Sequence, residues 1–323
     1  MLGIIISTLL SSCGSKDHEE NSDSDRPVIA LIPKGATHQH WKSIHAGAKK
    51  AAEELNVEII WKGPIKEDDR EEQFQVYETF VARSVDAICI APIDDRAFVR
   101  PVKEAALRGI PTVIFDSALQ DSFHVSFVST DNYRGGVLGA ERMAELLNGK
   151  GRVIMMRYQV GSAATADREQ GFLDTIAKYP GIVMLSDNQY AGVTTETAYQ
   201  ASENMLNRFS GDFEGLWMPN ESTTFGALRA LQDRGLAGRI VFVGFDTSKK
   251  LIDAMRAGEL HGLALQNPFR MGYLSIQSAV ASLNGEDVEW IIDTGVEFAT
   301  PENMDEPEMN ALLNHDWSMY GVE

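Results

Sequence analysis

The sequence predicts an α/β protein built from two doubly wound lobes, and two observations lead to this prediction. After Pro27, short apolar runs alternate with helical patterns of apolar residues. The same alternation then starts again in the second half of the chain. Strand, helix and strand repeated in this way are typical of a parallel sheet with helices on both faces.

The first half contains four predicted strands: Val28–Ile32, Val57–Trp61, Ala87–Ala91 and Thr112–Phe115. The first helix is predicted from one buried face, because its apolar residues recur at spacings of 3, 4, 3 and 4: Trp41, Ile44, Ala48, Ala51 and Leu55. Two further helices are predicted around 70–83 and 96–108, the second ended by Gly109, Ile110 and Pro111.

The second half repeats the architecture without an obvious residue-level repeat. Its predicted strands are Val153–Met156, Ile182–Ser186, Gly215–Met218, Ile240–Gly244 and Gly262–Leu265. Its predicted helices are 134–147, 168–178, 195–208, 222–235 and 248–257. Ligands of such sheets bind outside the carboxyl ends of the strands, so two facing lobes predict a binding cleft between them.

The composition limits the possible partners. The 323 residues include 29 basic and 47 acidic ones, which gives a formal net charge of −18. An acidic surface repels phosphate backbones, so no nucleic-acid partner is expected. The two cysteines exclude a disulfide scaffold and an all-cysteine zinc site.

The N-terminus indicates export. Residues 1–12 are almost wholly apolar or small, yet too few to span a bilayer as a helix, so they are predicted to be a signal peptide. Leu10, Ser11, Ser12 and Cys13 resemble the bacterial lipobox, which implies a lipoprotein signal peptide and a lipid on Cys13. Residues 13–26 are then a polar, lipidated tether. Cys89, within an apolar run, is interpreted as a small buried hydrophobe.

Motifs for catalysis are missing from the sequence. It contains no phosphate loop, dinucleotide fingerprint, H-E-x-x-H motif or G-x-S-x-G nucleophile elbow. His38, His40 and His45 are the nearest metal-like cluster, but their spacing does not place all three on one helical face. We therefore expect no enzyme, no metal site and no cofactor, although a catalytic site assembled from scattered residues stays open.

Short motifs at the predicted strand ends resemble a known family. They occur in that family's order from about residue 28 to residue 285: Ala30–Gly35, His40-Trp41, Phe115–Ser117, Ser129–Asn132, Asp167–Phe172, Pro219–Glu221, Gly226–Leu231, Val243–Asp246 and Leu265–Pro268. The chain thereby resembles the type I periplasmic sugar-binding proteins of the ribose-binding type. The resemblance implies two Rossmann-like lobes joined by a three-segment hinge, with crossings near Asp131-Asn132, near Gln266-Asn267 and within 290–296.

The resemblance also implies the domains and the function. Residues 27–131 and 267–293 form the N-terminal lobe, and 132–266 and 294–323 form the C-terminal lobe. The implied protein is a monomeric, lipid-anchored solute-binding protein of the cell envelope, on the periplasmic or extracytoplasmic face. It delivers a sugar or related polyol to the permease of an ABC importer. The alternative is a receptor, for a sugar or for autoinducer-2, that presents its closed form to a membrane signalling partner.

The same resemblance assigns ligand-binding residues. A sugar site needs carboxylates, amides and a guanidinium for the hydroxyls, and aromatic rings for the C–H faces. The matching positions are Asp116, Ser117, Asp246, Arg168, Asn220 and Gln266 for the hydroxyls, and His40 and Trp41 for the faces.

Each assignment has a structural alternative. The two aspartates and Ser117 suit helix caps, Arg168 suits a surface ion pair with Asp167 or Glu169, and the two amides suit turn backbones. Trp41 also begins the core face of the first helix, and the ring of His40 is small and polar for stacking.

Lys34 departs from the ribose pattern and resembles autoinducer-2 receptors, in which the lysine reaches the ligand. Lys34 favours a sugar acid, a phosphorylated sugar or a dihydroxylated ligand, or else it pairs with Asp116 and leaves the ligand neutral.

Overall fold

The computed structural model describes residues 26–120, 123–210, 212–314 and 318–322. The predicted signal peptide, nearly all of the tether and Cys13 lie outside these residues. The described residues form two six-stranded sheets, each flanked by helices on both faces. The predicted α/β fold with two doubly wound lobes is therefore confirmed.

The N-terminal lobe has the strand order β11-β5-β4-β3-β1-β2, and all of its strand pairs are parallel. Its strands are β1 (Val28–Ile32), β2 (Glu58–Trp61), β3 (Ala87–Ile90), β4 (Thr112–Phe115), β5 (Ser126–Ser129) and β11 (Ile291–Asp293). Its helices are α1 (Gln39–Leu55), α2 (Arg70–Ala82), α3 (Val99–Leu107) and α9 (Pro268–Leu283). Helices α1 and α9 cover one face of the sheet, and α2 and α3 cover the other.

The C-terminal lobe has the equivalent order β12-β10-β9-β8-β6-β7, in which β12 alone runs antiparallel to its neighbour. Its strands are β6 (Lys150–Arg157), β7 (Gly181–Tyr190), β8 (Gly215–Trp217), β9 (Val241–Phe245), β10 (Gly262–Gln266) and β12 (Val296–Ala299). Its helices are α4 (Asn132–Leu146), α5 (Ala163–Ile176), α6 (Thr195–Phe209), α7 (Glu221–Asp233), α8 (Lys249–Arg256) and α10 (Pro307–Leu313).

The chain crosses between the sheets three times, as the three-segment hinge predicts. The crossings lie between β5 and α4, between β10 and α9, and between β11 and β12. The first two end in helix caps, because the carboxylate of Asp131 accepts from Arg134 N (2.8 Å) and the amide of Asn267 accepts from Arg270 N (3.0 Å). The side chains at these crossings therefore fix where the next helix begins.

Inner strands of the N-terminal sheet are almost wholly buried runs of mainly apolar, often β-branched residues. Examples are Val28–Ile32, in which only Val28 is half-buried, and Thr112–Phe115, and both are therefore continuous hydrophobic segments in the sequence. Helices α4 and α5 approach closely through glycine, since a Cβ atom on Gly136 would lie 1.9 Å from Arg168 O. This contact sets the position of α5 on the lobe, and with it the position of the Arg168 side chain.

The structure differs from the sequence prediction in several places. Strands β5, β11 and β12 and helices α9 and α10 are not among the predicted elements. Helix α5 begins at Ala163, five residues before the predicted start, so Arg168 lies within the helix and not at its first turn. Residues 318–322, predicted with the C-terminal lobe, lie against α1 of the N-terminal lobe, where Lys49 Nζ donates to Tyr320 O (2.9 Å). Helix α10 does pack on the C-terminal lobe, through Met309 and Leu313. No helix among the described residues is long and apolar enough to cross a membrane.

Candidate functional site

The carboxyl ends of the strands in both lobes face one cleft. Side chains from both lobes line it: Lys34, His38, His40, Trp41, Glu67 and Asp116 from the N-terminal lobe, and Tyr158, Ser162, Ala164, Thr165, Arg168, Asn220, Glu221, Asp246 and Gln266 from the C-terminal lobe and its end of the hinge. The free space between them is about 30 Å³, room for one or two water molecules. The lobes are therefore closed on each other, and a sugar would enter only after they separate or their side chains rearrange.

Asp116 directly follows β4 and ends in the cleft. It has a φ of +62°, a left-handed conformation that Asp tolerates better than most residues. Its carboxylate lies 3.0 Å from Lys34 Nζ and 2.8 Å from His40 Nε2. Burial by itself raises the pKa of this carboxyl, but the charges of Lys34 and His40 outweigh it and hold the pKa well below its ordinary value.

Asp246 follows β9 in the other lobe and also has a positive φ, +65°. Its carboxylate accepts from Gln266 Nε2 (2.7 Å) and from the backbone N–H of Glu221 (3.1 Å). Asp246 is not the N-cap of the helix that follows it, since Ser248 precedes α8, and no described helix begins directly after Asp116. The predicted cap at the aspartate's own strand-to-helix turn is therefore wrong for both residues, although Asp246 does accept from the first N–H of α7.

Arg168 lies in the wall of the cleft with its side chain almost fully buried. It donates to Asn132 Oδ1 (2.8 Å) and Pro219 O (3.0 Å), and its guanidinium lies 3.7 Å from Asp246 and over the Phe245 ring. The alternative of a surface ion pair with a sequence neighbour is wrong, because Glu169 pairs with Arg157 at 2.7 Å.

The side-chain amides of Asn220 and Gln266 differ in how many of their hydrogen bonds are already made within the protein. Asn220 caps α7 in a reciprocal arrangement with Thr223, so its predicted turn role is present in the structure. Gln266 donates to Asp246, while its Oε1 is buried with no hydrogen-bond partner among the described residues. A buried acceptor without a partner is costly, so Gln266 Oε1 is an atom that a ligand hydroxyl would satisfy.

Trp41 belongs both to the core and to the cleft. Its ring packs edge-on against Phe115 in the N-terminal core, and its indole N–H donates to Glu67 Oε1 (2.8 Å). His40 lies edge-on to Trp41 and is held by Asp116. Burial lowers the pKa of His40, but the hydrogen bond and charge of Asp116 outweigh burial, and the net pKa is raised.

Lys34 and Ser117 reach from the N-terminal lobe to the C-terminal lobe. Besides its ion pair with Asp116, Lys34 Nζ donates to Ser162 Oγ (3.4 Å). The hydroxyl of Ser117 accepts from the backbone N–H of Ala164 (3.2 Å). Of the two alternatives for Lys34, the structure shows the pairing with Asp116.

The sequence analysis did not identify three acidic or basic residues of the cleft as site residues: His38, Glu67 and Glu221. The pKa of Glu67 tends upward with burial, but its ion pair with His38 and hydrogen bonds from His38, Tyr158 and Trp41 lower it to about 2. Burial lowers the pKa of His38, yet the charges of Glu67, Glu221 and Asp246 raise it to about 9. Burial raises the pKa of Glu221 to about 7.

A sequence signal existed for two of these three residues, since Glu221 ends the Pro219–Glu221 motif and His38 lies two residues before the His40-Trp41 motif. Glu67 lies in a connection between a strand and a helix, and no spacing rule points it at the cleft. No group of three or more His, Cys, Asp or Glu side chains in the described ranges has metal-binding geometry.

Comparison with known proteins assigns the chain to a family. Residues 29–287 match the periplasmic binding protein domain. The chain belongs to the periplasmic binding proteins. The predicted family is thus confirmed.

Individual relatives agree with this assignment. The chain is 27% identical over 313 residues to the D-ribose/D-allose-binding protein of Pseudomonas aeruginosa, covering 93% of this chain and 97% of that one. Among solved structures, it matches the periplasmic component of an ABC-type sugar transport system from Hahella chejuensis with 33% identity and a TM-score of 0.82, covering 85% of this chain and 100% of that one. A carbohydrate transporter solute-binding protein from Agrobacterium radiobacter in complex with D-arabinose gives 30% identity and a TM-score of 0.86, over 90% of this chain and 100% of that one.

Proposed function

We propose that this periplasmic binding protein captures an uncharged sugar or polyol between its lobes and delivers it to an ABC importer. The observation that carries the proposal is the set of side chains in the cleft. Two strand-end carboxylates, a buried guanidinium, two amides and an indole are the groups that a ring of hydroxyls with apolar faces requires. The relatives described as binding ribose, allose and arabinose support the same ligand class.

The charges in the cleft favour an uncharged ligand. Lys34 is paired with Asp116, Arg168 lies beside Asp246, and protonated His38 contacts Glu67. Each cation therefore already has an anionic partner, and a sugar acid or phosphate would bring an unpaired charge into a buried site, which is costly. The same balance disfavours Lys34 as a dedicated anion receptor.

The finer parts of the function rest on the sequence. We propose that Lys34, His40, Trp41, Asp116, Ser117, Arg168, Asn220, Asp246 and Gln266 contact the ligand. We further propose that a lipid on Cys13 holds the protein at the extracytoplasmic face of a membrane, that the protein is a monomer and that it does not act as an enzyme. The signalling role is the less favoured alternative, since the relatives above are described as binding or transport proteins.

Thermal unfolding of the purified protein tests the ligand class. D-ribose, D-allose, D-arabinose, xylitol, a sugar acid and autoinducer-2 would each be added to protein freed of carried-over sugar. A ligand at a thousand times its Kd stabilises a fold by about 4 kcal/mol, which shifts the Tm by several degrees. A shift with an uncharged sugar or polyol is the expected result. A shift only with the sugar acid or only with autoinducer-2 would contradict the proposal.

A further inference from the structure

The carboxylate of Glu67 connects the two lobes directly. Glu67 lies in the N-terminal lobe, between β2 and α2, and is buried. Its Oε2 accepts a hydrogen bond of 2.6 Å from the hydroxyl of Tyr158, which follows β6 of the C-terminal lobe. Its backbone carbonyl accepts a second bond from the other lobe, from Gln159 Nε2 (2.8 Å).

The other carboxylate oxygen of Glu67 holds the N-terminal wall of the cleft. Oε1 lies 2.8 Å from the indole nitrogen of Trp41 and 2.5 Å from His38 Nδ1. One side chain therefore orients the indole and an imidazole on its own lobe while it binds the phenol of the opposite lobe. Hydrogen bonds to a buried ionised group are stronger than those between neutral groups.

The segment around Tyr158 reinforces this contact. Residues 158–162 connect β6 to α5, and all four residues after Tyr158 also bond to the N-terminal lobe: Gln159 with Glu67 O (2.8 Å), Val160 O with Arg70 (2.8 Å), Gly161 O with Asp95 N (3.0 Å) and Ser162 with Lys34 (3.4 Å). None of these bonds passes through a ligand. The closed arrangement thus has its own interlobe contacts, and the buried bond between Glu67 and Tyr158 is the shortest of those named.

We propose that Glu67 is a positioning residue that favours closure of the lobes before a ligand binds, through its hydrogen bond with Tyr158. Glu67 holds Trp41 and His38 in place on the N-terminal wall of the cleft, and its bond with Tyr158 holds the C-terminal wall against them. A cleft that is partly closed in advance loses less ligand affinity to the closing step. The expected gain in affinity for sugar rests on the proposed function, whereas the expected closure of the lobes does not.

Small-angle X-ray scattering in sugar-free buffer measures closure without any ligand. The samples are the unmodified protein, Tyr158→Phe, Glu67→Gln and the double variant, each freed of carried-over sugar by unfolding and refolding. Tyr158→Phe keeps the buried ring and removes only the hydroxyl. The test therefore still has a folded variant without this bond if Glu67→Gln misfolds. Tyr273→Phe is the matched control, because Tyr273 donates to Glu54 at the same 2.6 Å within one lobe.

We expect Tyr158→Phe to raise the ratio of open to closed protein by about tenfold and thereby to increase the radius of gyration. Glu67→Gln keeps an amide oxygen that accepts from Tyr158 but loses the charge, so it should open the protein less. Because both changes act on the same bond, the double variant should open little more than Tyr158→Phe, and Tyr273→Phe should match the unmodified protein. Scattering of folded Tyr158→Phe identical to that of the unmodified protein would overturn the proposal. The scattering is measured without sugar, so it tests closure even if no sugar raises the Tm in the thermal unfolding experiment.

Discussion

Asp116 and Asp246 occupy equivalent positions in the two lobes. Asp116 follows β4 and Asp246 follows β9, and these strands hold the same place in sheets of equivalent order. Both have a left-handed φ, and each backbone N–H bonds to the neighbouring strand, Asp116 to Val128 O (3.0 Å) and Asp246 to Ala264 O (2.8 Å). The repeated architecture therefore presents one carboxylate from each lobe to the same cleft, which suits a ligand that both lobes must grip.

Replacing Asp246 by Asn should weaken sugar binding strongly. Asn tolerates the left-handed backbone and keeps the shape of the side chain, but it removes a charged acceptor, which is worth about 1.5–3 kcal/mol. We expect the Kd for whichever uncharged sugar the thermal panel identifies to rise about 10- to 100-fold. Calorimetric titration checks this, with Asp253→Asn, an exposed residue of α8, as the control. An unchanged Kd would remove Asp246 from the ligand site.

The ion pair of His38 and Glu67 should make stability depend on pH. The pKa of His38 is raised from 6.5 to about 9, so the folded protein holds a proton that the unfolded chain loses above pH 6.5. The stabilisation is complete below pH 6.5 and is lost as the pH rises to about 9. It corresponds to roughly 3–4 kcal/mol, because one pKa unit is about 1.4 kcal/mol.

Urea unfolding of the protein with and without His38→Asn between pH 6 and 9.5 measures this dependence. The stability difference between the two should shrink as the pH rises. Glu221 also faces His38, whose charge lowers the pKa of Glu221, so both proteins carry Glu221→Gln, a background in which that position does not titrate. A difference that is constant over this range would contradict the raised pKa.

Glu221 should destabilise the closed protein when it ionises. Its pKa is raised from 4.5 to about 7, so stability falls as the pH rises through that interval. Glu221→Gln imitates the protonated form and should stabilise the protein above pH 7 by roughly 3–4 kcal/mol, a gain that disappears near pH 4.5. Urea unfolding at both pH values checks it, and Glu53→Gln, an exposed position of α1, should give no such pH-dependent gain.

Gly136→Ala should force α4 and α5 apart. The added Cβ would meet the backbone oxygen of Arg168 at 1.9 Å, and backbone cannot yield as a flexible side chain does. Overpacking of this kind costs about 1–3 kcal/mol or more, so the Tm should fall by several degrees. The shift should also displace Arg168 and weaken sugar binding, which calorimetry would detect. Unchanged stability would mean that the helices are less tightly packed than the structure shows.

The sequence determined the fold class of this protein and most of its strands and helices. Buried strands such as Val28–Ile32 and Thr112–Phe115 are continuous apolar runs, and helix faces such as the one that begins at Trp41 have a clear period, so local patterns were sufficient. Strand ends could also be located, and with them Asp116 and Asp246, because in parallel sheets the carboxyl ends of strands mark the ligand edge.

Only the tertiary structure decided how the cleft side chains pair. Lys34 meets Asp116 across 82 positions of chain, and Tyr158 meets Glu67 across 91, contacts that no local spacing encodes. The role of a charged side chain depends on the neighbouring charges and on its burial. Closure of the two lobes brings charges together and buries them in the same step. For that reason the sequence did not decide whether Lys34 favours a charged ligand, and it gave no sign that Glu67 belongs to the site. The folded structure pairs Lys34 with Asp116 and places Glu67 between the lobes.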